Sequence, residues 1–174
     1  MTCDIKRPIV TGLTVLLGVT GLGTLAAPAH TQKPKFRLFA SHSGKALTTG
    51  SLEIGTVVFQ KTSSNGPNEV WFFNSDGQLV HNQSGLCMEP ESLTSGARIG
   101  LQQCYTGDPT AANQPPQFWT LRLTTINDQR LARYQNKMTN LVLDVSNAST
   151  SNGANLVQFS ITGGQNQSFE RRFL

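Results

Sequence analysis

The 174-residue chain lacks most of the signatures that would mark a helical, metallic or nucleic-acid-binding protein. No stretch carries an apolar stripe at helical spacing between caps, which argues against a helical or α/β fold. Only three cysteines occur, none in a CxxC, and His30, His42 and His81 have no ligand-like spacing, so no metal site is expected. Charged residues make up 14% of the chain, and beyond residue 29 the only adjacent basic pair is Arg171-Arg172. No polybasic stripe of the kind that neutralises a phosphate backbone is present, and nucleic acid is not an expected partner. GxSxG, HExxH, P-loop and GxGxxG motifs are missing too. Glu89 and Glu91, the only close acidic pair, flank Pro90 in a turn instead of facing one another across a cleft. The expectation is a protein that is not an enzyme, with no catalytic residue and no cofactor.

The amino terminus differs in composition from the rest. "MTCDIKRP" supplies Lys6 and Arg7, "IVTGLTVLLGVTGLGTLA" is apolar but diluted by Gly and Thr, and "APA" at Ala27–Ala29 offers small residues for cleavage. Residues 1–29 read as a secretory signal peptide, 30–35 as a short linker and 36–174 as the domain. An uncleaved membrane anchor is the alternative. A cleaved leader implies a secreted protein, extracellular or periplasmic, with no stable membrane span in the mature chain. Cleavage leaves twelve basic against nine acidic residues, a mild and dispersed +3, and two cysteines, Cys87 and Cys104. An even count in an exported chain suggests a disulfide, contributing roughly 3 kcal/mol for a loop of this size. Two free buried thiols are the alternative.

What the chain does have is internal repetition. Segments beginning at Ser43, Ser84 and Thr139 each run through an apolar triplet, a Gly-containing turn, a second apolar strand and a polar loop to a closing aromatic. Those aromatics are Trp71, Trp119 and Phe169, spaced 48 and 50 residues apart. "TVVFQK", "IGLQQC" and "LVQFSI" alternate around β-branched and aromatic residues, while "WFFNSDGQLVH" and "LRLTTINDQRLARYQ" read as hairpins. Three copies are too few for a propeller and favour closure into a threefold barrel. The predicted fold is all-β, a β-trefoil with repeats at about 36–81, 82–135 and 136–174.

The copies resemble the ricin B-type lectin repeat, whose Gln-x-Trp ending is matched by "QFW" at Gln117–Trp119 and, with Phe for Trp, by "NQSF" at Asn166–Phe169. "GLCME" at Gly85–Glu89 and "LVLDV" at Leu141–Val145 fit the first strand of the motif; "LQQC" at Leu101–Cys104 and "LVQFS" at Leu156–Ser160 fit the second. The resemblance implies a carbohydrate-binding module recognising glycans, most often of galactose type. Sugar hydroxyls are both donors and acceptors, so a site needs a carboxylate to accept and carboxamides that give and take. The third copy has that set: the resemblance implies that Asp144 grips paired hydroxyls, Asn166 joins it and Gln167 holds the carboxylate. Gln158 is expected to face outward as a fourth site residue, with Val157, Phe159 and Ile161 alternating onto the core. Ser160 then stands where the family places a stacking Trp or Tyr.

The other copies depart further. In the second, Glu89 takes the Asp place, Gly100 the strand Gln, Gln102 the platform and Pro116 the Asn. In the first, Thr48 and Val58 replace Asp and Gln while Asn68 and Glu69 precede Trp71. Two functional expectations follow. One is a secreted lectin acting mainly through the third repeat. The other is a receptor-binding or scaffolding subunit of a multi-component AB-type toxin, since "ALTTGSLEIGTVVFQ" and "EVWFF" loosely resemble ricin-like subunits of cytolethal distending toxins.

Overall fold

A computed structural model of the protein describes residues 33–126 and 129–174. The segment read as a leader lies outside the described residues. Within them the chain forms twelve short strands: β1 Lys35–Ala40, β2 Ala46–Thr49, β3 Val58–Lys61, β4 Trp71–Phe73, β5 Leu79–His81 and β6 Cys87–Pro90, then β7 Ile99–Gln102, β8 Trp119–Ile126, β9 Gln129–Asn136, β10 Val142–Val145, β11 Leu156–Phe159 and β12 Phe169–Phe173. No helix among the described residues is long and apolar enough to cross a membrane.

Six strands close on themselves. β1 pairs with β4 and β12, β4 with β5, β12 with β9, and β9 with β8, all antiparallel. A bridge between Gln78 and Phe118, with Trp119 N donating to Gly77 O, joins β5 to β8 and completes the ring. The turn linking β4 to β5 is set locally: Asn74 Oδ1 accepts from Asp76 N and Gln78 N, and Gly77 takes φ +90°. That left-handed conformation favours glycine over any residue with a Cβ.

The remaining strands form three hairpins, β2–β3, β6–β7 and β10–β11, which cap one end of the ring. They meet through three equivalent bridges, Val57 to Gly100, Phe59 to Asn155 and Arg98 to Val157. Each hairpin turns at a glycine of positive φ (Gly55, Gly96, Gly153), whose N–H donates to Leu101, Gln158 and Gln60 of the neighbouring copy. This three-way meeting defines the β-trefoil.

The core explains the sequence spacing. Trp71, Trp119 and Phe169 are buried at equivalent places beneath the caps, among Leu38, Leu47, Met88, Leu101, Leu143 and Leu156. Trp71 Nε1 donates to Leu47 O and Trp119 Nε1 to Met88 O, so each indole both fills the core and satisfies its own polar atom. Cys87 on β6 and Cys104 after β7 form a disulfide with their Cα atoms 5.0 Å apart, tying the second cap hairpin shut.

Candidate functional site

The third repeat concentrates polar groups at the mouth of its cap hairpin. Asp144 sits on β10 beside Val157 of β11, and the 3-10 turn Gln165–Gln167 brings two carboxamides against it. Asn166 Nδ2 donates to Asp144 Oδ1 at 2.8 Å and Gln167 Nε2 to Oδ2 at 2.8 Å. Gln167 is itself fixed: its Nε2 also reaches Ser160 O, and its Oε1 accepts from Thr162 N and Gly163 N. It is fully buried, so its role is to orient the carboxylate. Each Asp144 oxygen uses one acceptor position on these amides and keeps capacity for a hydroxyl.

A cleft of about 450 Å³ opens over this group, lined by Asp144, Asn166, Val157, Phe159, Thr162 and the loop Ser146–Ala148, with Gly96 contributed by the second copy. Asn147 and Ala148 in that loop both take positive φ, 56° and 49°. Two successive non-glycine residues in this region carry backbone strain at the rim of the cleft. His42 approaches from the first copy. Its Nε2 donates to Ser149 O at 2.9 Å, because a carbonyl can only accept.

The structure therefore brings together Asp144, Asn166 and Gln167, and places Gln158 elsewhere. Gln158 is fully buried; its Nε2 donates to Ser92 O and Thr94 O, and its Oε1 accepts from Thr139 Oγ1. It stitches the third copy to the second. The expected alternation of β11 is reversed: Phe159 is 40% exposed and lines the cleft, and Ile161 is 55% exposed. The phase fails because three hydrogen bonds let a glutamine occupy the inward position that periodicity reserves for an apolar residue. An aromatic ring thus stands on the cleft wall one residue before Ser160. The Ser160 amide instead donates to Ser95 Oγ of the second copy.

Strand register also corrects the correspondence between copies. Leu143 faces Gln158, Leu47 faces Gln60 and Met88 faces Leu101. Gln60, not Val58, is the first-copy counterpart of Gln158, and it bonds Ser149 O and Ser151 O in the same stitching manner. Leu101, not Gly100, holds that place in the second copy. Aligning Gly55, Gly96 and Gly153 in the sequence gives this register directly, since each counterpart lies five residues later.

The first and second copies use their polar residues internally. Gln117 repeats the role of Gln167, donating to Glu89 and to Gln103 O while accepting from Gln78 Nε2 and Tyr105 N, but Pro116 leaves no amide where Asn166 stands. In the first copy Thr48 Oγ1 donates to Asn68 O and offers no carboxylate. The buried Glu69 is consumed by Ser63 Oγ, Ser64 N and Ser64 Oγ, with Arg37 at 3.6 Å. Burial alone would raise its pKa; those donors and Arg37 outweigh burial and hold the carboxyl below its usual range.

Asp144 behaves oppositely. Burial raises its pKa, and the amides of Gln167 and Asn166, with His42 nearby, only partly offset the rise. Because the folded pKa is raised, this group's contribution to stability is fully present below its unfolded value and lost as pH rises through the folded one. Ligand acceptance needs the ionised form and runs the other way. Titrating the protein downward from neutral pH should therefore abolish ligand binding at a pH above the ordinary aspartate range, while near-UV circular dichroism still reports a folded protein. Binding that persists unchanged to the ordinary range would contradict an acceptor role for Asp144.

Fold and site together define a class: a β-trefoil with a polar, carboxylate-centred cleft beneath an aromatic wall. The chain matches the model of the ricin-type beta-trefoil lectin domain over residues 29–112, and that of the ricin-type beta-trefoil lectin domain-like family over 78–159 and 115–172. It belongs to the ricin-type β-trefoil lectin family, whose members are in general carbohydrate-binding and not catalytic. Among solved structures it is similar to ThreeFoil, a designed threefold-symmetric protein, at 34% identity and TM-score 0.68, over 80% of this chain and 99% of that one. The C-half of an earthworm R-type lectin in complex with GalNAc matches at 18% identity and TM-score 0.62, covering 81% and 99% of the two chains. A Macrolepiota procera ricin B-like lectin in complex with lactose matches at 17% identity and TM-score 0.62, covering 79% and 93%. No curated protein matches by sequence.

Proposed function

We propose that this protein is a secreted lectin that binds glycans carrying terminal galactose-type sugars through its third repeat. The observation that carries the reading is Asp144, clamped by Asn166 and Gln167, opening into a cleft walled by Phe159. The carboxylate accepts from two neighbouring hydroxyls and Asn166 stands beside it. Phe159 offers a face to ring C–H bonds, which an axial 4-hydroxyl gathers on one side of a galactose ring. The earthworm and Macrolepiota structures, with GalNAc and lactose, support the galactose type. A cleft this open holds one sugar weakly, and useful avidity would come from oligomerisation or a linked module. Export rests on the composition of residues 1–29.

A glycan array tests the reading, with wild type beside Phe159→Ala. Wild type should retain terminal galactose or N-acetylgalactosamine, and loss of the ring should weaken it about tenfold, the worth of one stacking contact. An array silent for wild type would sink the proposal; co-purification of a second chain would then favour the toxin-subunit role. Retention unaffected by Phe159→Ala would remove the platform role alone.

A further inference from the structure

Charges scattered along the sequence are gathered by the sheet order. After residue 32, nine of the twelve Lys and Arg residues lie in segments 33–40, 119–137 and 169–173, against two of the nine acids, Asp128 and Glu170. Those segments are strands β8, β9, β12 and β1, which are consecutive neighbours in the barrel. The remainder, including all three cap hairpins, carries seven acids and only Lys45, Lys61 and Arg98. The domain is thus strongly polarised, with the candidate sugar cleft among the cap hairpins and outside the basic ribbon.

Within the ribbon, basic residues stand opposite one another: Arg37 pairs with Arg172, and Arg122 with Arg133. Arg37 is engaged by Glu69 at 3.6 Å, and Arg172 Nη2 donates to Glu170 Oε2 at 2.7 Å while staying exposed; Arg122 and Arg133 are aimed by neutral acceptors. Arg122 Nε donates to Gln135 Oε1, and Arg133 donates to Ser168 Oγ and Gly163 O. Lys33, Arg122, Lys137 and Arg172 are exposed, and Lys35 and Arg133 partly so. The aromatic faces beside them are already covered: Arg172 lies 3.9 Å from the Phe39 ring centroid, Arg171 lies over Phe36 and Phe173, and Lys33 over Phe72. Of these rings Phe36 and Phe39 are buried and Phe173, 57% exposed, has a cation over one face, so the ribbon offers nucleobases little stacking surface, whereas repeated anionic groups would find cations at strand spacing.

We infer that the β1–β12–β9–β8 ribbon binds sulfated polysaccharide, at a second glycan site independent of the third-repeat cleft. The sulfates would be held by Lys35, Arg122, Arg133 and Arg172 as charge-assisted contacts, and binding would be driven largely by release of condensed counterions.

Surface plasmon resonance on immobilised heparin, fully desulfated heparin and single-stranded DNA tests this. The protein should bind heparin at about physiological salt, where screening leaves only close contacts, and desulfated heparin should not hold it. A Lys35→Gln/Arg122→Gln/Arg172→Gln variant should lose roughly tenfold or more in affinity, and its slope of log affinity against log salt should fall by about two to three. The charge-matched Lys45→Gln/Lys61→Gln/Arg98→Gln variant should change little. Asp144→Ala and free galactose should have no effect, which separates this surface from the lectin reading. Equal loss in both triple variants, no heparin binding by wild type, or DNA held as tightly as heparin would each overturn the assignment. Melting curves of both triples confirm that each is folded.

Discussion

Asp144→Asn should abolish measurable retention on galactose-type glycans while leaving a folded trefoil. Under the function proposed above, the substitution removes a charge-assisted acceptor of two ligand hydroxyls, a loss of roughly 3 kcal/mol or about a hundredfold in affinity. The effect goes beyond lost charge. Gln167 cannot turn its amide, because its Oε1 is held by Thr162 N and Gly163 N, so the new side chain must keep its oxygen toward Gln167 Nε2. Its NH2 then meets Asn166 Nδ2, donor against donor, unless Asn166 flips and gives up its bond to Val145 O. Either outcome disturbs the one amide beside the ligand and costs about 1 kcal/mol of stability. Isothermal titration with methyl galactoside, with a melting curve of the same sample, separates the two effects. Undiminished affinity in a folded Asp144→Asn protein would remove Asp144 from the site.

Much of the fold and of the third-repeat cluster is legible in the sequence. Trp71, Trp119 and Phe169 mark the copies because each closes a unit that must bury one large ring under its cap hairpin, and regular spacing follows from that packing. The cluster of Asp144, Asn166 and Gln167 could be read because the carboxamides are adjacent in sequence and the motif fixes their distance from the strand. Gln158 and Phe159 could not be read from alternation. Whether a strand glutamine faces inward depends on acceptors at Ser92 and Thr94, more than sixty residues away. No local pattern records such partners. The basic ribbon was hidden for the same reason, since its cations come from three separated segments that only strand pairing unites.

Trp71 tests the fold as Asp144 tests the site. Trp71→Ala should cost about 4 kcal/mol, within the range for deleting a buried aromatic and leaving its cavity, and for a domain of this size that lowers the melting temperature by roughly 10 °C or more. Trp71 is fully buried, its indole N–H donates to Leu47 O, and its ring lies 4.9 Å from that of His81. His81 is buried on β5, and desolvation holds its pKa below the usual value. Removing the indole would admit water beside the imidazole and relax that depression. Wild-type His81 gives stability that is full above its unfolded pKa and fades as pH falls through it, so Trp71→Ala should flatten the acid side of the stability profile. Trp71→Phe should cost far less, about 1–2 kcal/mol, because the third copy already builds the same position with Phe169 and no indole bond. Urea melts of the two variants across pH decide the matter. Equal losses for Phe and Ala would mean that the Leu47 bond, and not the volume of the ring, sustains the first repeat.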